Sequence, residues 1–141
     1  MAKILWIEDE AKDQLIEYLA PLIHDGHVVD IAEDATEAYF HLLESRYDVI
    51  IFDLLIKSGA DFGMNEQYPG LALLQRIFKD EHNKLGLDTK RIMIFSVVTS
   101  REIIKEIKEM GIENVRPKER MEMTRLKTFV DEILKASKIN D

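Results

Sequence analysis

Cysteine is absent from the chain, which removes disulfides and thiolate catalysis and is compatible with a reducing compartment. A surplus of basic charge is missing too: 19 lysines and arginines face 27 aspartates and glutamates, for a net charge of −8. That balance argues against a basic face for nucleic acid or for an anionic membrane. No segment approaches the ~18 uninterrupted apolar residues of a membrane helix. The amino terminus offers one lysine and a four-residue apolar run before acidic residues begin, which is not a signal-peptide pattern. His24, His27, His41 and His82 lack metal-ligand spacing and are expected in solvent. Asp61-Phe62-Gly63 matches a kinase metal motif in letters only, because neither a glycine-rich loop nor a catalytic-loop sequence accompanies it. These absences leave the expectation of one acidic, cytoplasmic, globular domain over 1–141 with a frayed tail at 136–141.

What is present is a set of apolar runs that end on chemically competent groups. Val49-Ile50-Ile51-Phe52 runs into Asp53, Ile4-Leu5-Trp6-Ile7 into Glu8-Asp9-Glu10, and Ile92-Met93-Ile94-Phe95 into Ser96. A carboxylate at the end of a buried strand is costly to desolvate unless a cation or a reacting group offsets the cost. Such residues are candidates for a site.

Strand-like and helix-like segments alternate along the whole chain. Strands are expected at 3–7, 27–31, 48–52, 91–95 and 114–116, and helices at 10–24, 34–45, 70–80, about 100–110 and 120–137. Asp34-Ala35-Thr36-Glu37 and Thr99-Ser100-Arg101-Glu102 read as helix-opening capping boxes, and Gly111 as a helix C-cap. Pro21 is expected to end or kink the first helix late. Five β-α units of this kind predict an α/β fold, a doubly wound parallel sheet covered by helices on both faces. The first, third and fourth strands are continuously apolar, as strands buried on both faces are. The second and fifth carry polar residues and belong at the edges, which predicts the order 2-1-3-4-5. Ligands in such a sheet bind beyond the carboxyl ends where the winding reverses, between strands 1 and 3. Glu8, Asp9 and Asp53 are then expected to meet, with Ser96 one strand over.

Three converging carboxylates repel one another and favour a hard cation such as Mg²⁺ (or Mn²⁺), bound by oxygen ligands. A carboxylate can also serve as a nucleophile toward phosphorus, giving an acyl phosphate. Such a transfer needs positioning and charge stabilisation, which Ser96 as hydroxyl donor and Lys118 as point charge are placed to supply, with Arg116 as the alternative cation.

The ordered set of Glu8-Asp9, Asp53, Ser96 and the segment Gly111-Ile112-Glu113-Asn114-Val115-Arg116-Pro117-Lys118 resembles the receiver domains of two-component response regulators over essentially the whole chain. The resemblance implies a flavodoxin-like (βα)5 fold and a phosphoprotein whose Asp53 is the phosphoacceptor. It implies Mg²⁺-dependent phosphotransfer from a sensor histidine kinase or phosphotransfer protein, with Glu8, Asp9, Asp53 and the backbone carbonyl of Leu55 as metal ligands. It also implies no enzymatic turnover beyond autocatalytic phosphotransfer and autodephosphorylation, and phosphorelay signalling through a downstream partner. Four departures stand out. Val115 replaces the usual Tyr or Phe, Val97 replaces a small residue, Pro117 precedes the lysine rather than following it, and Lys57–Pro69 is a long connection. These departures support an alternative, a receiver-like interaction module that works without phosphorylation. A phosphohydrolase of the haloacid dehalogenase type is disfavoured, because Leu55 stands where its second aspartate would be.

Overall fold

A computed structural model describes residues 2–9, 16–56, 59, 68–97, 100–117 and 125–139. Its strands are β1 (Lys3–Ile7), β2 (Val28–Ala32), β3 (Val49–Phe52), β4 (Ile92–Ser96) and β5 (Asn114–Pro117). They form one parallel sheet in the order β2-β1-β3-β4-β5, as the polarity of the strands predicts. Every residue of β3 and β4 is buried, whereas β2 is exposed at Val28 and only partly buried through Ile31. The period-2 alternation of strand side chains then divides the core in two. Leu5, Ile7, Ile50, Phe52, Ile92 and Ile94 point to one face, where α2 (Ala35–Glu44), α3 (Pro69–Gln75) and α4 (Arg101–Glu109) cover them. Ile4, Trp6, Val49, Ile51, Met93 and Phe95 point to the other, under Leu22 of α1 (Ile16–His24) and Leu126, Val130 and Ile133 of α5 (Arg125–Ile139).

Most element boundaries fall within a residue or two of expectation, and the exceptions have identifiable causes. Residues 10–15 and 120–124, where the first and last helices are expected to begin, lie outside the described residues. Helix α1 carries Pro21 inside it and ends three residues later at His24. Asp34 caps α2 as read, its Oδ1 accepting from the Glu37 N–H at 2.7 Å. The box before α4 forms differently. Ser100 takes the N-cap position without a side-chain hydrogen bond, which sets Glu102 too early to close the box. Gly111 does adopt the left-handed backbone, φ 98°, that follows a helix C-terminus. The helix expected over 70–80 is α-helical only to Gln75 and continues as a π-helical turn, Arg76–Asp80. There the wider turn accompanies a clamp. Tyr39 donates its hydroxyl to the Glu81 carboxylate (2.6 and 2.7 Å), Arg76 Nε donates to the same group at 3.2 Å, and the guanidinium lies 4.4 Å over the Tyr39 ring. Helix α5 extends two residues beyond the expected 137.

Candidate functional site

The site grows out of the sheet register. Ile7 is paired with Phe52, so the next residues, Glu8 and Asp53, leave adjacent central strands side by side. Backbone bonds carry the ladder one step further: Glu8 N–H donates to Ala32 O (2.9 Å) and Asp53 N–H to Ile7 O (3.0 Å). The backbone from which both carboxylates project is thereby fixed at the carboxyl end of the sheet. Glu8 is fully buried, and Asp53 and Ser96 are 4% and 3% exposed. Glu8, Asp9 and Asp53 each bring an oxygen within 4.8 Å of the others. Across the next strand, Ser96 Oγ donates to Asp53 Oδ1 at 2.7 Å, and the Leu55 N–H reaches the same oxygen at 3.2 Å.

At 4.8 Å two ionised carboxylates repel by about 3.5 kcal/mol at an effective dielectric of ~20. The donor set is all oxygen, anionic and converging, and so it fits a small hard divalent cation. The Gly70 N–H at the start of α3 donates to Leu54 O at 3.1 Å, which ties the far end of the long connection to the turn that follows Asp53. Leu55 and Val97 are exposed apolar residues flanking Asp53 and Ser96 in sequence.

The structure thus brings together Glu8, Asp9, Asp53 and Ser96, and ties Leu55 to Asp53 through its N–H. Lys118 lies outside the described residues, as do 57, 58 and 60–67 of the long connection. Arg116, the alternative cation, lies on the α5 side of β5. It is held 3.6 Å from Glu132 and stacks 4.5 Å from the Phe129 ring, because alternation along β5 turns it toward α5. Two histidines expected in solvent are engaged instead. His27 Nδ1 accepts from the Ala2 N–H at 3.1 Å, and His41 Nδ1 lies 3.2 Å from the Tyr47 hydroxyl. Tyr47 donates to Asp30 at 2.7 Å, so His41 is the donor in its own contact with Tyr47. In a second acidic grouping, Asp25, His27 and Asp131, the two carboxylates are bridged by Lys127, which sits 3.0 Å from Asp25 and 2.8 Å from Asp131.

A response regulator receiver domain protein (CheY-like) from Methanospirillum hungatei superposes with a TM-score of 0.76 at 17% identity, over 100% of this chain and 99% of that one. The chain has the receiver-domain fold. The receiver domain of the Francisella response regulator 1452 agrees at a TM-score of 0.70 and 20% identity, over 97% of this chain and 99% of that one. NtrX from Brucella abortus contains the same fold in a longer chain: the match covers 99% of this protein but 28% of NtrX, at 21% identity and a TM-score of 0.70. No family model and no curated protein matches the sequence. At these identities the receiver fold is conserved in shape, and the chemistry must be argued from the residues.

Proposed function

We propose that this receiver-fold chain is a phosphorylation switch of a two-component system, acting in the cytoplasm and without enzymatic turnover of its own. Asp53 accepts a phosphoryl group from a sensor histidine kinase or phosphotransfer protein, and the modified domain changes its affinity for a downstream partner. The observation that carries this reading is the meeting of Glu8, Asp9 and Asp53 within 4.8 Å with Ser96 bonded to the acceptor at 2.7 Å. A bound Mg²⁺, held by Glu8, Asp9, Asp53 and the Leu55 carbonyl, would offset the carboxylate repulsion and the charge of the incoming phosphoryl group. The chain's own residues do the rest. An Asp53 oxygen forms the new O–P bond as the donor's P–N bond breaks, and the electron pair stays on the departing imidazole nitrogen, which is protonated from solvent. Ser96 releases Oδ1 and donates its hydroxyl to a phosphoryl oxygen instead. Lys118 is the proposed cation for another of those oxygens.

The competing reading, an interaction module independent of phosphorylation, is favoured by one observation: Val115, at the position of the usual ring, pairs with Ile94 and packs against the core as a small aliphatic side chain. One experiment separates the two. The protein is incubated with Mg²⁺ and acetyl phosphate and weighed intact, and in parallel its single tryptophan, Trp6, is followed by fluorescence during beryllofluoride addition. A phosphoryl mass adduct and a fluorescence change, both lost in Asp53→Asn, support the switch. A wild-type protein that shows neither, and binds no Mg²⁺, refutes it.

A further inference from the structure

We infer that Gly70 is a positioning residue for the acceptor, an inference that rests on the reading of Asp53 as phosphoacceptor. Gly70 is the second residue of α3 and is buried. A Cβ built on it would collide with the Asp53 carbonyl oxygen and lie 2.7 Å from Leu54 Cα and 3.1 Å from the Asp53 carbonyl carbon. These are backbone atoms of the acceptor turn, with no flexible side chain able to move aside. The helix therefore seats directly against the peptide that follows Asp53.

The contact has a partner on each side. From β1, Ile7 O accepts the Asp53 N–H at 3.0 Å; from α3, the Gly70 N–H reaches Leu54 O at 3.1 Å. That N–H is one of the donors a helix leaves unpaired in its first turn, and the acceptor turn satisfies it. Asp53 is thus fixed between a strand and a helix, and its carboxylate direction follows from where the 53–54 peptide is allowed to sit. Any side chain at 70 has to lift α3 or rotate that peptide. Rotation would swing Asp53 away from Glu8, Asp9 and Ser96 and carry Leu55 with it.

The test compares Gly70→Ala with Gly26→Ala. Gly26 sits in the α1–β2 turn with φ 84° and open space around its Cβ direction, so alanine there strains the backbone far from the site. Gly70→Ala is expected to slow acetyl phosphate loading by about 100-fold and weaken Mg²⁺ binding, read by Trp6 fluorescence, by about tenfold. Gly26→Ala should lose stability yet load and bind metal like wild type. Amide spectra should show Asp53–Leu55 displaced in Gly70→Ala only. Normal loading and normal 53–55 amides in Gly70→Ala would overturn the inference, and so would losses in both variants that simply track stability. If wild type takes no phosphoryl group while the 53–55 amides still move, the acceptor reading fails and the positioning stands. Should Gly70→Ala not fold, the wild-type Gly70 amide decides. Its exchange is expected to slow when Mg²⁺ and beryllofluoride are added, and an unchanged rate counts against the inference.

Discussion

Asp53 carries opposing demands that a single substitution can separate. It is nearly buried beside two other carboxylates, yet it receives the Ser96 hydroxyl and the Leu55 N–H. Asn at this position keeps an acceptor for both donors and removes the charge. Relief of repulsion worth about 3.5 kcal/mol per ionised pair exceeds the loss of two charge-assisted bonds to a group that still accepts them. Metal-free Asp53→Asn is therefore expected to be more stable than wild type by about 1 kcal/mol in urea unfolding. Mg²⁺ should then stabilise wild type, by about 2.7 kcal/mol at ~100 times its dissociation constant, and leave the variant unchanged. A variant less stable than wild type without metal would show that the carboxylates are compensated from elsewhere. These residues were legible in the sequence because each ends an apolar run, and a charge at the end of a buried strand has few structural explanations. Gly70 was not legible. Its role depends on a contact sixteen or seventeen residues back along the chain, and the letters Pro69-Gly70 ahead of an apolar helical run announce a helix start and nothing more.

Capping chemistry shows at the level of elements why local signals succeed or fail. Asp34-x-x-Glu37 and Ser100 both sit at helix starts, but only Asp34 makes its bond, at 2.7 Å to the Glu37 N–H. Asp34→Ala is expected to cost about 1 kcal/mol and lower the thermal midpoint by a few degrees, while Ser100→Ala changes it by only a few tenths of a kcal/mol. Equal effects in thermal melts would contradict the difference in geometry. The strand order was readable for a sturdier reason: burial on both faces demands continuous apolar residues, and only β1, β3 and β4 have them. The π-helical turn at Arg76–Asp80 escaped because a periodicity of 3.6 assigns one pitch to the whole run. It coincides with a tertiary contact, the convergence of Tyr39, Arg76 and Glu81, which no local pattern announces.

Across the whole molecule, the same clamps set how stability depends on pH. The Tyr39 hydroxyl holds Glu81 below the ordinary value of 4.5, with burial opposing and Arg76 adding to it, and Lys79 followed by Gln75 does the same for Glu106. A carboxyl depressed on folding contributes stability that is complete above about pH 4.5 and is lost as pH falls through the folded value. Burial first, then the Glu81 and Asp30 carboxylates, raise Tyr39 and Tyr47 respectively above 10.0. Phenols shifted upward contribute stability that is complete below pH 10 and is lost as pH rises beyond it. Net charge pulls the other way on the acid side, since a chain at −8 repels itself less as it nears its isoelectric point of about 5.0. At ~0.15 M salt, with a screening length of about 8 Å, that long-range relief is weak and the short contacts decide. Urea midpoints should therefore be level between about pH 5 and pH 9 and fall on both sides. Glu81→Gln is expected to flatten the acid limb and leave the alkaline one, and Tyr47→Phe to do the reverse. If both variants instead shift the whole curve without changing either limb, long-range charge governs the profile and the clamps contribute only packing.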